Sequence, residues 1–140
     1  MNGMTTIKAA IAAVGAWLSY MLGGWDMILK VLVGFVVLDY LTGVIAAYHR
    51  KDLSSNVGMY GIAKKICLFI PIAMAHWLDQ AVVANIVGAE LLRNVAVWFY
   101  LANEGLSIIE NLGEIGILIP GPLLEALKQL KEKGKAETGG

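Results

Sequence analysis

The residue that most clearly invites a chemical role is Asp39, a carboxylic acid in the middle of the apolar run 27–48. A helix through that run would be about 33 Å long, which matches the hydrocarbon core of a bilayer. An ionised carboxylate near the bilayer centre costs roughly 2.5 to 3.5 kcal/mol, so such groups face a polar partner, water or another helix. Asp39 therefore predicts either a functional polar contact inside a membrane or a protonated or capping group that only holds helices together.

A second set of polar side chains lies in the run 91–114. With roughly 100° between successive residues of a helix, these side chains fall within an arc of about 120°. They are Arg93, Tyr100, Asn103, Glu104, Ser107, Glu110, Asn111 and Glu114. Lipid cannot solvate this polar stripe, so we expect it to meet other helices or subunits, or to line a water-filled hole. The alternative is an interfacial or soluble amphipathic helix.

Two charged members of the polar stripe, Arg93 and Glu104, stand about three helical turns apart. They cannot pair within one helix, so their partners must come from another helix or another chain. In the run 27–48, Thr42, Gly43 and Ala46 share one side with Asp39, and small residues there allow a second backbone to approach closely. We expect this side to serve helix packing or oligomerisation, with ordinary packing inside one chain as the alternative.

Enzymatic chemistry is not expected. Cys67 and His76 would fall on opposite sides of one helix, so they cannot act as a nucleophile and base pair. Gly58 and Gly61 lack the Lys and Ser/Thr of a phosphate-binding loop, and a lone cysteine gives neither a disulfide framework nor a zinc set. The sequence therefore predicts no catalytic residue, no cofactor and no metal. A net charge of zero also disfavours a nucleic-acid binder.

The composition, 58% apolar with only 16% charged residues, is that of a membrane protein. We predict an all-α integral membrane protein with four transmembrane helices, or three if the last run does not cross. The helices are expected at about 7–22, 27–48, 62–87 and 91–114, within a membrane domain 1–119. Pro71 should kink the third helix near Cys67. We expect the first helix to remain as an uncleaved span.

Loop charges predict the orientation. The connection after the second run holds Arg50, Lys51, Lys64 and Lys65, and the tail after Pro120 is also rich in lysine, so both should be cytoplasmic. The segments 23–26 and 79–90 hold no Lys or Arg and should lie outside. Both termini are then cytoplasmic, and the basic residues act as topology determinants and headgroup anchors.

The last segment, 120–140, predicts an amphipathic helix followed by a flexible tail. Leu123, Leu124, Leu127 and Leu130 share one face, and charged residues surround the rest. Such a helix should be cytoplasmic or lie on the membrane surface.

Several spaced polar motifs together resemble a known family over residues 20–131. They are Gly24-Trp25-Asp26, Leu38-Asp39-Tyr40-Leu41-Thr42-Gly43, Leu53-Ser54-Ser55 with Gly58, Gly61 and Lys64-Lys65, then Phe99-Tyr100, Asn103-Glu104-Gly105-Leu106-Ser107, Glu110-Asn111, Gly116 and Pro120. This pattern is similar to that of phage holins of the toxin secretion and phage lysis type.

The resemblance implies a small phage protein of the bacterial host's cytoplasmic membrane that forms homo-oligomers and opens lesions for cell lysis. Endolysin would pass through them without needing direct contact, and some relatives are implicated in toxin release. Two alternatives remain from the residues themselves. One is a narrow ion or proton channel using Asp39, His76, Asp79 and Glu104, and the other is a membrane scaffold without pore activity.

Overall fold

The structure is a computed structural model that describes residues 2–87 and 90–137. Every regular element in these ranges is helical, which confirms the all-α class. The helices are α1 Gly3–Met21, α2 Met27–His49, α3 Ser55–Cys67, α4 Phe69–Leu78, a π-helical turn Asp79–Val83, α5 Ala84–Val87, α6 Leu91–Ile115 and α7 Gly121–Glu137.

Two segments of the described chain are long and apolar enough to cross a membrane, Met27–His49 and Gly58–Val83. Only 17% and 11% of their most apolar windows are buried, so neither resembles the enclosed core helix of a soluble protein. Their outer faces present large apolar side chains such as Val37, Leu41 and Ile70. By length and composition, these two helical segments could each cross a membrane.

The third expected helix differs from its prediction in two ways. It begins at Ser55 rather than near Ile62, and it is interrupted at Leu68, one turn before Pro71. The interruption agrees with the missing N–H of Pro71. Because the backbone at Leu68 remains right-handed, with φ −63° and ψ −22°, α3 and α4 continue in nearly the same course.

The π-helical turn after α4 was not expected from the sequence. Its first residue, Asp79, contacts the start of α6. The Asp79 carboxylate accepts hydrogen bonds from the backbone N–H groups of Leu92 at 2.9 Å and Arg93 at 2.7 Å. It therefore caps the first turn of α6 from a neighbouring segment, a stabilising position for a negative charge. The far end of α6 stops on Gly116, whose φ of +98° suits glycine.

Helices α2 and α6 form the centre of the molecule and run in the same direction. Leu29 and Leu32 of α2 pack with Ile72 of α4 and Val97 of α6 in a fully buried core. Helix α1 contributes no buried residue and leaves an open apolar groove of about 860 Å³ against α4, with Trp17, Trp25 and Trp77 in its lining.

Helix α7 doubles back along α6. Leu127 of α7 is buried against Gly105 of α6, where an added Cβ would lie only 2.8 Å from the leucine Cδ2. Nearer the end of α7, the Lys133 ammonium lies 5.2 Å from the ring centre of Trp98. The amphipathic helix expected from the sequence is present, and its apolar face is seated on α6.

Candidate functional site

Asp39, Lys65 and Glu104 form a buried polar cluster between α2, α3 and α6, which we call the Lys65 triad. The Lys65 Nζ lies 2.8 Å from Glu104 Oε2 and is in direct contact with the Asp39 carboxylate. Asp39 is 5% exposed and Glu104 is 9% exposed. One ammonium is therefore shared by two carboxylates that are buried inside the protein.

Asn111 of α6 gives Asp39 its second set of contacts. The Asn111 Nδ2 lies 3.0 Å from Asp39 Oδ1, 3.2 Å from the Asp39 carbonyl oxygen and 3.0 Å from Thr42 Oγ1. The Thr42 hydroxyl in turn donates to the Leu38 carbonyl at 2.8 Å. A Cβ at Gly43 would meet Asn111 Nδ2 at 3.5 Å, so the small side of α2 lies against the amide of α6.

Ala46 completes the small side of α2 and is fully buried. The side formed by Asp39, Thr42, Gly43 and Ala46 is thus occupied within one chain, largely by α6. Its role between chains stays a prediction.

At the other end of α2, Arg93 makes a second polar cluster, which we call the Arg93 clamp. Its Nη1 donates to Asp26 Oδ2 at 2.7 Å and its Nη2 to Asp26 Oδ1 at 3.2 Å. The Nε donates to the Leu22 carbonyl at 2.6 Å, and Nη2 also reaches the Gly24 carbonyl at 3.2 Å. Arg93 is 1% exposed, and this forked pairing satisfies the guanidinium while joining α6 to the α1–α2 turn.

Asp26 has two tasks in the Arg93 clamp. Its Oδ1 accepts from the backbone N–H of Leu29 at 3.1 Å and caps α2. The hydrogen bonds from the Arg93 guanidinium hold the pKa of the Asp26 carboxyl below its ordinary value, against a smaller opposing effect of partial burial. Asp26 therefore stays ionised at neutral pH, where both tasks need a carboxylate.

Gly23 makes room for the Arg93 clamp. Its φ is +86°, and an added Cβ would lie 2.6 Å from Arg93 Nε and 2.8 Å from His76 Nδ1. A larger residue would be strained in its backbone and would also collide with both side chains. The His76 Nδ1 also lies 2.8 Å from Glu90 Oε1.

The basic residues of the α2–α3 connection divide into two kinds. Lys51 and Lys64 are exposed, in keeping with headgroup contacts. Arg50 is exposed and pairs with Asp52 at 3.3 Å and with Glu114. The prediction that Lys65 is a headgroup anchor is wrong for this conformation, because its side chain turns inward to the Lys65 triad and is only 20% exposed.

The polar stripe of α6 also contains both inward-facing and exposed residues. Arg93, Glu104 and Asn111 point to partners on other helices, and Ser107 lies beside Asp39. Tyr100 and Asn103 are half-buried, whereas Glu110 and Glu114 are exposed. The expectation that Arg93 and Glu104 find partners on other helices agrees with these contacts, and both partners belong to the same chain.

Sequence reasoning gave no role to Asp26 and proposed Asp79 only for a channel. A signal for Asp26 was available, since an aspartate just before an apolar run is a common helix cap. Asp79 gave no such signal, because it caps a helix that begins after the following connection. Among residues 2–87 and 90–137, no group of three or more His, Cys, Asp or Glu is arranged to hold a metal ion.

Comparison with known proteins is consistent with these motifs. Residues 16–132 match the model of the bacteriophage holin family. An uncharacterized 14.9 kDa protein in the nagH 3′ region of Clostridium perfringens is 40% identical over 132 residues, covering 94% of this chain and 98% of that protein. A protein of Bacillus subtilis, YqxH, is 37% identical over 81% of this chain and 78% of its own length.

A relative of stated function comes from a phage. The probable holin of Bacillus phage phi105 is 35% identical over 102 residues, which is 73% of each chain. No solved structure matches the chain. Family membership and the two apolar segments together indicate a membrane location. The protein belongs to the bacteriophage holin family.

Proposed function

We propose that this protein is a holin that oligomerises in the bacterial host's cytoplasmic membrane and opens lesions through which endolysin is released. The observation that carries the proposal is the pairing of buried charges beside the middle of α2, a helix long and apolar enough to cross a membrane. The Lys65 triad keeps two carboxylates and one ammonium away from lipid, while apolar side chains cover the outside of α2 and α4. The charges of the Lys65 triad can therefore lie within a membrane, because they have partners there.

Contacts along α2 support a membrane crossing by α6 despite its polar stripe. Arg93 meets Asp26 at the start of α2, Asn111 meets Asp39 in the middle, and Glu114 meets Arg50 at the end. Since α2 is long and apolar enough to cross, a helix attached to it at all three levels crosses with it.

Helix α1 would supply the remaining span of a four-helix topology. Its 19 residues give a length of about 28 Å, close to the hydrocarbon thickness of a bilayer. It carries exposed Ile7, Ile11, Val14 and Trp17, which suit contact with lipid or with other copies. The loop charges then favour cytoplasmic positions for both termini before a lesion opens.

Lesion formation requires no catalysis and no cofactor. We propose that crowded copies exchange contacts made within one chain for contacts between chains. The small side of α2 and three members of the polar stripe of α6, Arg93, Glu104 and Asn111, take part. Intramembrane polar groups that gain water or new partners supply several kcal/mol to such a change. The same lesion would let a large toxin pass.

The channel alternative gains less support from the geometry. Asp39 and Glu104 lie together, but Asp79 caps the first turn of α6, and His76 lies beside Gly23 and Glu90. These four groups do not form one polar path. A permanent scaffold would leave permeability unchanged at every expression level.

A size-graded release assay tests the proposed function. The protein is expressed in bacteria while membrane potential, ion leakage and escape of a folded cytoplasmic reporter enzyme are followed together. A holin releases the enzyme abruptly, and Asp39→Leu and Glu104→Leu should shift the time of release, whereas Glu110→Leu at an exposed position should not. Leakage of ions without enzyme would establish a narrow channel, and no permeability change would establish a scaffold.

A further inference from the structure

The position of α7 on α6 determines how deep α7 lies if α6 crosses the membrane. Helix α6 follows α2 from Asp26 to Arg50, so both helices lie at the same depth. Helix α7 doubles back along α6, with Leu127 level with Gly105 and Lys133 level with Trp98. If α6 crosses the membrane in this arrangement, most of α7 lies at membrane depth as well.

The outer face of α7 is unsuited to lipid. Away from the buried Leu127, the exposed side chains are Glu125, Lys128, Gln129 and Glu132. Each charge on this face would be costly in hydrocarbon, and the described structure offers no helix that covers it. Water is the surrounding that suits this face while α7 stays on α6.

The polar stripe of α6 is less available to water than its composition suggests. Arg93 and Glu104 are buried and paired within the chain, and Asn111 is committed to Asp39 and Thr42. Exposing these groups requires their present contacts to break. The outer face of α7 is already exposed and charged, and Leu127 fixes it to α6 through an apolar seat that includes Phe35.

We propose that α7 lines the lesion, with Leu127 packed on Gly105 and its outer face, formed by Glu125, Lys128, Gln129 and Glu132, turned to the aqueous hole. This inference rests on the proposed function and names the surface that water wets. It also revises the expectation of a tail that remains cytoplasmic, since in the open assembly α7 lies within the membrane's thickness.

Two neighbouring positions of α7 provide a matched test. Lys128 is exposed on the outer face, and Leu127 is buried against α6. In a protein with Cys67→Ser, which removes an exposed thiol, a single cysteine is introduced as Lys128→Cys or Leu127→Cys. Each variant is reconstituted into vesicles of phosphatidylethanolamine and phosphatidylglycerol and allowed to open. A bulky polyethylene-glycol maleimide is then added, and the largest dextran that passes is measured.

The expected result differs between the two positions. Lys128→Cys reacts, and the attached polymer lowers the size limit for dextran passage. Leu127→Cys stays unreacted and keeps the size limit of the Cys67→Ser protein. This pair of results requires α7 to be seated on α6 and to face the hole at the same time.

Four other results would overturn the inference. Reaction at both positions means that α7 leaves α6 when the lesion opens. Reaction at Lys128→Cys without a change in size limit means that α7 hangs outside the hole, and absence of reaction at Lys128→Cys means that its outer face is covered. These three results leave the holin proposal intact. Failure of the Cys67→Ser protein to pass any dextran would overturn the holin proposal, and the inference with it.

Discussion

The Arg93 clamp and the Lys65 triad solve the same problem, a charge inside a helical membrane protein, in different ways. In the clamp one guanidinium meets one carboxylate and two backbone carbonyls, so the charges balance. In the triad one ammonium meets two carboxylates, so one negative charge exceeds its partner when both are ionised. We infer that the clamp fastens helix ends, whereas the triad is the place where the bundle can rearrange.

Breaking the clamp should have the largest effect on stability. Arg93→Leu leaves Asp26 and two carbonyls without their donor, and removal of one partner of a buried pair costs about 3 to 5 kcal/mol. We expect a loss at the low end of that range because Asp26 is partly exposed. The measurement is the free energy of unfolding in mixed micelles. Arg93→Lys, which keeps the charge but loses the fork, should lie between the two proteins, and equal stability of all three would refute a fastening role.

Removing the cation of the triad should have the next largest effect. Lys65→Met leaves the Asp39 and Glu104 carboxylates facing each other, and loss of hydrogen bonds to charged groups costs roughly 2 kcal/mol. The unfolding free energy should fall and enzyme release should come earlier. Lys64→Met is the matched control on the exposed side of α3 and should change neither. Indistinguishable behaviour of the two lysine variants would contradict the inward placement of Lys65.

The turn beneath the clamp offers a smaller perturbation. Gly23→Ala forces a left-handed backbone onto an L-residue, at about 1 to 2 kcal/mol, and pushes a methyl group toward Arg93 and His76. Gly24→Ala shares the positive φ but meets no neighbouring atom within 4 Å, so it isolates the backbone cost. In the same unfolding assay Gly23→Ala should lose more than Gly24→Ala. The opposite order would show that the clamp does not press on the turn.

The clamp also predicts a limited pH dependence. Because the folded pKa of Asp26 is below its ordinary value of 3.8, its contribution to stability is complete above that value and is lost as the pH falls through the lower, folded pKa. The contribution of Asp26 should thus be constant from neutral pH down to about pH 5 and decline only below about pH 4. Asp26→Asn should remove this part of the acid loss, which a comparison of unfolding curves would reveal. A difference between the two proteins that vanishes near pH 6 would contradict the prediction.

The smallest effect is expected at the exposed end of the α2–α6 pair. Arg50 and Glu114 form an ion pair in which both side chains are about half exposed, and such pairs contribute little because water screens them. Glu114→Gln should leave the unfolding free energy and the time of enzyme release unchanged. A clear loss would mean that this pair fastens α2 to α6 as strongly as the clamp does.

The sequence predicted that Asp39 and Glu104 need polar partners, but it did not identify Lys65 as the partner. A carboxylate in the run 27–48 and a charged stripe on α6 require partners, and that requirement follows from the cost of a charge in lipid. The identity of the partner did not follow, because α3 begins at Ser55 rather than near Ile62. That earlier start moves Lys65 from the first turn of a helix, near headgroups, to a position facing Asp39 and Glu104.

The packing of α7 on α6 also could not be predicted from the sequence. Its leucine face predicts burial on one side, but the pattern does not say whether lipid or protein covers that side. The seat depends on the missing side chain of Gly105, which lies far from Leu127 along the chain. Long-range fits of this kind leave no periodic signal, whereas the helices themselves do.

The most direct test of a rearranging triad is the time of reporter-enzyme release for Glu104→Gln and Glu110→Gln at equal amounts of protein in the membrane. Glu104→Gln removes the unbalanced charge of the triad while keeping an acceptor for Lys65, and Glu110 is an exposed glutamate on the same helix. We expect delayed release for Glu104→Gln and unchanged release for Glu110→Gln. Equal release times for both variants and the original protein would contradict this expectation.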